Sequence, residues 1–212
     1  MLTKVVISQV YGGGGNSGAI LRNDFIEIFN AGNQTIALTG WSVQYLTASG
    51  TGTWQATNLS GSIAPGQYYL IQESGGGGGT TDLPAPDSSG NINLAATAGK
   101  VALVSLTTAL TGSCPTSASI LDVVGYGGTA TCFEGAGPAP APSSNNLQSA
   151  LRNSNGCSDT NNNAIDFTAG AASPHNASSA INQCPGTIAQ FEEESELGWF
   201  DVLAEAVKSA WS

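Results

Sequence analysis

Residues 23–30, Asn-Asp-Phe-Ile-Glu-Ile-Phe-Asn, precede Ala-Gly-Asn-Gln at 31–34 and Thr-Ile-Ala-Leu-Thr-Gly-Trp-Ser-Val-Gln-Tyr at 35–45. In the first segment aromatic and acidic residues alternate with Ile26 and Ile28, which is the two-residue period of a β-strand. Gly32 and Asn33 accept the positive φ of a tight turn, and the apolar residues at 36–45 predict a second strand. The stretch therefore predicts a β-hairpin and an all-β protein.

Further strand-like runs follow the same pattern along the chain. They lie at residues 5–10, in a threonine-rich segment at Trp54, and at 68–72, 91–94, 100–106 and 120–127. Turn-forming Gly, Pro and Asn separate them, and no segment before residue 185 has a helical period over a useful length. Five or more strands with this spacing favour a β-sandwich. The glycine runs at 12–15 and 75–79 predict flexible loops, and the second lacks the Lys of a phosphate-binding loop.

The composition excludes some classes of partner. The chain of 212 residues has a net charge of −10 with only five Lys and Arg, which are scattered. Nucleic acid binding needs clustered basic residues, so we expect no direct DNA or RNA contact. Apolar residues make up 41% of the chain, enough for one packed β-domain rather than a disordered acidic chain.

The four cysteines predict two disulfide bonds and an oxidising compartment. They are Cys114, Cys132, Cys157 and Cys184. No Cys-x-x-Cys pair occurs and His175 is the single histidine, so a zinc site is not expected. Among the three possible connectivities we favour pairing neighbours in sequence, each closing a loop worth about 3–4 kcal/mol. Four free buried thiols in a cytosolic protein remain the alternative.

Several motifs in order resemble the lamin tail domain family. Besides the 23–45 stretch, they are Pro-Gly-Gln-Tyr-Tyr-Leu at 65–70, Gly-Lys-Val-Ala-Leu at 99–103, Leu-Asp-Val-Val-Gly-Tyr-Gly at 121–127, Leu-Arg at 151–152, Cys-Ser-Asp-Thr-Asn-Asn-Asn at 157–163 and Asp-Phe at 166–167. The resemblance covers about residues 4–184 and is closest to the secreted bacterial branch of the family.

The resemblance implies an immunoglobulin-like β-sandwich that binds or organises rather than catalyses. Members of the secreted branch are often attached to extracellular nucleases and other surface enzymes. The 212 residues contain neither the coiled-coil rod of a nuclear lamin nor a catalytic domain, so filament assembly is not expected. Met1-Leu2-Thr3-Lys4 passes directly into a strand-like run, and we expect that a leader was cleaved or omitted.

The residue inventory offers little for catalysis. A serine triad would need a histidine placed beside a serine and a carboxylate, and His175 lies in the loop-like sequence Ser-Pro-His-Asn. Asp24 and Glu27 fall on the predicted hairpin, where solvent or nearby backbone would bind them. Asp122, inside an apolar strand, and Arg152 form a predicted structural ion pair, because a half-buried charge needs a partner.

A ligand site for Ca²⁺ is the best metal candidate in the sequence. Its oxygen donors would come from Asp159, Asn161, Asn163 and Asp166, at alternating positions in an Asn-rich loop. Ca²⁺ takes six to eight oxygen ligands, although this loop lacks the Gly and Glu of an EF-hand. The alternative is an ordinary turn whose side chains bond their own backbone. We expect no other cofactor.

Residues 185–212 differ in composition from the rest. They contain six of the 15 acidic residues and predict an acidic linker followed by an amphipathic helix at 195–211. One face of that helix carries Leu197, Phe200, Leu203, Val207 and Trp211. Isolated helices of this length are marginal in water, so we expect the face to pack on a second copy of the chain rather than on the chain's own sandwich or a membrane.

The sequence thus predicts a sandwich at 4–184 with a C-terminal helix, placed outside the cell or at its surface. The expected function is non-catalytic adhesion, assembly or tethering of a protein partner. Two alternatives stay open. One is an accessory module that targets a secreted nuclease or other hydrolase. The other is a self-assembling subunit that docks through its helix.

Overall fold

The computed structural model describes residues 4–185 of the chain. The chain divides into a compact unit through Asn182 and a second unit from Gln183 onward, and the fold described here is that of the first. Its strands are β1 (Val5–Tyr11), β2 (Asn23–Asn30), β3 (Ile36–Ala37), β4 (Ser42–Thr47), β5 (Gln55–Asn58), β6 (Ser62–Ile63), β7 (Tyr68–Gly75), β8 (Ser88–Ser89), β9 (Gly99–Val104), β10 (Ile120–Tyr126), β11 (Gln148–Arg152) and β12 (Phe167–Ala171). One short helix, α1 (Asn163–Asp166), precedes β12.

Two sheets form an immunoglobulin-like β-sandwich, as predicted. The larger sheet has the order β12-β11-β1-β2-β7-β8, the smaller sheet has the order β10-β9-β4-β5, and β3 pairs with β6 in a separate ribbon. The pairs are antiparallel except for β7 with β8. Alternate residues of both sheets meet between them, among them Ile26 and Ile28 of β2 and Val43 of β4.

Strand β2 lies at the centre of the larger sheet and is buried on both faces. Ile26 and Ile28 face the core between the sheets. Phe25, Glu27 and Phe29 lie on the opposite face and are buried as well. The predicted alternation is therefore present, and loops cover the face that would otherwise meet solvent.

The predicted hairpin is wrong. Strand β2 pairs with β1 and β7, whereas β3 pairs with β6 and β4 pairs with β5 and β9. Both edges of β2 are thus occupied, and the chain after Asn30 crosses to the other sheet. The Asn30 side-chain amide fixes this crossing by donating to the carbonyls of Gln34 and Ile63 at 2.8 and 3.0 Å.

The predicted strand at 91–94 is also wrong, although its apolar residues are buried. The backbone N–H groups of Ile92 and Leu94 donate to the carboxylates of Glu73 and Asp24, both at 2.9 Å, instead of to a neighbouring strand. Two carboxylates thus replace part of a ladder that the alternating pattern predicted. Conversely, the sequence did not predict β12, whose residues Phe-Thr-Ala-Gly-Ala have weak strand propensity.

The two glycine runs are packed against one another and are not free loops, which corrects the prediction of flexibility. The N–H of Gly78 donates to the carbonyl of Gly15 at 2.7 Å. A Cβ on Gly15, whose φ is +67°, would lie 2.0 Å from the backbone nitrogen of Gly76. Glycine is required here because two backbones approach more closely than any side chain permits.

All four cysteines are disulfide-bonded. Cys114 and Cys132 form one bond, with their sulfur atoms 2.04 Å apart, in the predicted pairing. Cys157 and Cys184 are each disulfide-bonded as well. The first bond joins loops that the Lys100 ammonium also holds, since it donates to the Ser113 carbonyl at 2.8 Å.

Candidate functional site

A pocket of about 350 Å³ opens on the outer face of the larger sheet. Its floor is formed by residues of β1, β2, β7, β11 and β12, and residues 153–156 and 173–175 form its walls. We call it the polar pocket. Its lining residues are Ser8, Gln9, Glu27, Tyr68, Leu151, Arg152, Asn153, Ser154, Asn155, Gly156, Thr168, Ser173 and His175.

Glu27 is the charged centre of the polar pocket and is only 2% exposed. Its Oε1 accepts from the Ser8 hydroxyl at 2.6 Å. Its Oε2 accepts from the backbone N–H of His175 at 2.6 Å and lies 3.1 Å from the ring Nδ1 of the same residue. The hydrogen bond to Glu27 raises the pKa of His175. The carboxylate thus ties a segment 148 residues away to the centre of the sheet.

Aromatic rings continue the wall beside Glu27. The ring of His175 stacks on Tyr68 with centroids 4.6 Å apart, and Tyr68 packs on Phe29 at 4.9 Å. The Tyr68 hydroxyl donates to the carbonyl of Asn155 at 2.9 Å. Burial, and then the charge of Glu27, raise the pKa of Tyr68 to about 12. The phenol therefore stays protonated at neutral pH and acts as a donor.

The opposite wall is a left-handed turn at residues 154–156. Ser154, Asn155 and Gly156 have φ values of 56°, 53° and 98°. Left-handed backbone costs roughly 1–2 kcal/mol for each L-residue, so the surroundings must hold the turn in place. A Cβ on Gly156 would lie 2.6 Å from the ring of Phe29, and Tyr68 holds the Asn155 carbonyl. The contacts with Phe29 and Tyr68 therefore hold this wall of the pocket in place.

The arrangement around Glu27 differs from a hydrolytic triad. In a triad the histidine lies between the nucleophile and the carboxylate and takes the proton of the nucleophile. Here Ser8 and His175 both bind the carboxylate, and no hydrogen bond joins them to each other within the part of the chain that the structure describes. The Ser8 proton is directed to Glu27. The cluster is built to hold segments together.

Behind the polar pocket, Arg152 joins the two sheets. Its guanidinium is fully buried and lies 2.6 Å from Asp122 of β10 and 3.2 Å from Asp159. The Nε of Arg152 donates to the carbonyl of Ile7 in β1 at 2.8 Å, and the N–H of Ile7 donates to Asp122 at 2.6 Å. The predicted pair of Asp122 and Arg152 is confirmed. A buried pair with this many partners is costly to break from one side.

The residues predicted to bind Ca²⁺ lie in one loop but bond the protein. Asp159 accepts from Arg152, and Lys4 lies 3.0 Å from it. The Asn163 amide faces β10, accepting from Gly125 and donating to the carbonyl of Val123. The structure gives Asn161 a positive φ of 55°.

Asp166, the last of these residues, is also engaged within its own loop. Its carboxylate accepts from the backbone N–H groups of Thr160 and Asn162 at 2.8 and 3.1 Å. Burial raises its pKa, but these hydrogen bonds outweigh burial and the net direction is downward. Within residues 4–185 no group of three or more His, Cys, Asp or Glu side chains is placed to hold a metal ion. The calcium site stays a prediction.

Two further buried carboxylates, Asp24 and Glu73, hold the loop at 90–95. Asp24 accepts from the N–H groups of Gly14 and Leu94 at 2.8 and 2.9 Å. Burial raises the pKa of both carboxyl groups to about 7. Both are absent from the lining of the polar pocket, so their protonation concerns stability rather than the pocket.

A second pocket of about 320 Å³ lies elsewhere on the sandwich and is more apolar. We call it the apolar groove. It is lined by Lys4, Val5, Val6, Ile36, Trp41, Leu121 and Asp159. Lys4 and Asp159, its two charged residues, are paired with each other, so the groove presents mainly aliphatic and indole surface.

The predicted helix face of Leu197, Phe200, Leu203, Val207 and Trp211 lies outside the described residues. Among the residues that are described, no helix is long and apolar enough to cross a membrane.

The fold and the polar pocket define a class: an immunoglobulin-like sandwich whose buried ionisable groups serve to hold loops. A family model for the Lamin Tail Domain matches residues 2–166. The chain therefore belongs to the lamin tail domain family, an immunoglobulin-like, non-enzymatic family. The match ends before β12 and before His175, so those parts of the pocket lie beyond the family match.

Comparison with solved structures supports the fold alone. A DUF4876 family protein from Bacteroides thetaiotaomicron superposes with a TM-score of 0.51 at 12% sequence identity. The alignment covers 87% of this chain and 75% of that one. No curated protein matches the sequence.

Proposed function

We propose that this lamin tail domain is a non-catalytic extracellular domain for adhesion, assembly or tethering of a protein partner. The observation that carries the proposal is that the Glu27 carboxylate is engaged in hydrogen bonds within the chain. Its carboxylate is the charged group best placed in the polar pocket, and both of its oxygens hold neighbouring segments of the chain. An acid or base in catalysis must be free to exchange a proton with a substrate.

The cysteines support the extracellular placement. Disulfide bonds persist in oxidising compartments and are rare in the cytosol of most organisms. Both ends of each predicted pair are bonded here. Expression in a reducing cytosol and in an oxidising compartment would test this. We expect the oxidised protein to be the more stable, and equal stability with four free thiols would contradict the placement.

A protein partner fits the charge better than a nucleic acid does. The net charge of −10 and the five scattered basic residues disfavour phosphate binding. As an accessory module, the domain would be encoded together with a secreted hydrolase. As a self-assembling subunit, it would show a mass that rises with concentration. The full open reading frame would show whether a hydrolase domain is encoded with this one. Light scattering would show whether the mass rises with concentration.

The non-catalytic proposal is tested with nuclease, esterase, glycosidase and protease substrates at high protein concentration. We compare the wild-type chain with a His175→Ala variant and with an Asp82→Asn variant. Asp82 is exposed, pairs with Arg22 and does not line the polar pocket, which makes it the control. We expect no activity above buffer. Turnover that the control retains and His175→Ala loses would overturn the proposal.

A further inference from the structure

Strand β12 forms one outer edge of the larger sheet. It pairs with β11 on one side, from Phe167 opposite Arg152 to Ala171 opposite Gln148. Hydrogen bonds from Asn153 to Asp166 and from Ala172 to Leu147 continue this ladder at both ends. Since bonded pairs alternate in an antiparallel ladder, every second residue of β12 turns its backbone groups away from β11. Those residues are Phe167, Ala169 and Ala171.

Nothing within residues 4–185 accepts or donates at this outer edge. The edge of the smaller sheet differs, because the side-chain amide of Asn163 bonds the backbone of β10 at Val123 and Gly125. Exposed edges are commonly protected by Lys, Pro or a bulge. Strand β12 has none of these, and its register with β11 is regular.

We propose that β12 pairs antiparallel with β12 of a second copy of this chain, which joins the two larger sheets about a two-fold axis at Ala169. The proposal rests on the proposed assembly function and names its surface. In this register Ala169 faces its own copy, Phe167 faces Ala171, and Thr168 faces Gly170. Phe167 is buried in its own sandwich, so the side chains of β12 that meet a second copy are those from Thr168 to Ala171, which are all small.

Charge also favours a second copy at this edge. A two-fold axis places identical residues near one another, so a charged residue on β12 would meet its own charge. The strand is Phe-Thr-Ala-Gly-Ala and carries none. The small side chains of Ala169, Gly170 and Ala171 let a second backbone approach. Five paired residues make a small interface, so we expect weak association that needs high protein concentration.

The test uses the full 212-residue chain in sedimentation velocity over a range of concentrations. Ala169→Pro removes an outward N–H without removing a hydrogen bond to β11, and Ala171→Lys adds a charge at the edge. Ala56→Lys, an exposed alanine on the edge strand β5, is the matched control. We expect a wild-type dimer that the control retains, and a dissociation constant raised about tenfold or more in the two β12 variants.

Amide hydrogen exchange tests the same contact without a mutation. The N–H of Ala169 should exchange about tenfold more slowly in concentrated than in dilute wild-type protein, while the N–H of Ala171 in the Ala169→Pro variant should not slow. A wild-type chain that stays monomeric at its solubility limit, or a dimer unaffected by the β12 variants, would overturn the proposal.

A dimer lost only with Phe200→Ser and Trp211→Ser would assign association to the C-terminal segment instead. Loss of the β12 proposal leaves the non-catalytic function standing, whereas enzyme activity would remove that function and leave the dimer.

Discussion

Glu73 gives the sharpest stability prediction. It is buried, its Oε2 accepts from the N–H of Ile92, and its Oε1 has no hydrogen-bond partner within the described residues. The hydroxyl of Thr57 lies near the carboxylate, because it and the Glu73 Oε2 approach the same position next to Gly90. Replacing Glu73 by Gln keeps an acceptor for the N–H of Ile92 and removes the buried charge.

The magnitude follows from the ionisation of Glu73. Burial raises its pKa from 4.5 to about 7 in the folded protein. The folded state therefore binds this proton more tightly than the unfolded state does. The resulting stability is fully present below about pH 4.5 and is lost as the pH rises through about 7. The pKa difference of about 2.5 corresponds to about 3 kcal/mol.

The assay is urea unfolding followed by tryptophan fluorescence at about pH 5 and about pH 8. We expect Glu73→Gln to have nearly the wild-type free energy of unfolding at the lower pH and to exceed it by about 3 kcal/mol at the higher pH. Asp82→Asn changes an exposed carboxylate and should follow the wild type at both. If Glu73→Gln and the wild type lose stability in parallel between these values, the buried carboxyl group is not the cause and the reasoning fails.

Four other predictions concern the pairs, the disulfide and the loop. Arg152→Met should cost about 3–5 kcal/mol in urea unfolding, because it leaves buried carboxylates unpaired, whereas Arg22→Met at an exposed pair should cost under about 1 kcal/mol. Cys114→Ser, made together with its partner, should lower the free energy of unfolding by about 3 kcal/mol, and an unchanged value would argue against the bond. His175→Ala should lose more stability below about pH 6 than above about pH 8, since Glu27 raises the histidine pKa and the benefit disappears as the pH rises. Millimolar Ca²⁺ should raise the melting temperature if the loop at 159–166 binds it, and a chelator-insensitive melting temperature would count against the site.

The polar pocket is formed by residues that lie far apart in the sequence. Glu27 and His175 are separated by 148 residues, and a single histidine in a loop-like sequence gave no reason to place them together. The motif Ser-Pro-His-Asn indicated only a turn. Glu27 inside an apolar alternation was the one available signal, because a carboxylate on a buried strand must find donors.

The same physical reason made Asp122 and Arg152 predictable. A charge inside the apolar run at 120–127 needs a partner of opposite sign, and the chain has only five basic residues. Arg152 lay in a conspicuous Leu-Arg pair. The prediction rested on this need for a partner, and the spacing of the two residues in the sequence carried no information about their contact.

The sequence by itself determined what depends on neighbouring residues. The alternation in β2, the lack of helical periodicity, the even cysteine count and the family motifs are all local or compositional, and they define an all-β, disulfide-bonded lamin tail domain. Tertiary structure decided which strands pair. A strand has two edges, and the turn that follows it does not fix which strand pairs at either edge. In the folded chain β2 pairs with β1 and β7, and the segment after Asn30 crosses to the other sheet. The packed glycine runs, the carboxylates that replace a ladder at 91–94 and the open edge of β12 follow from the same cause, because each depends on which distant backbone lies alongside.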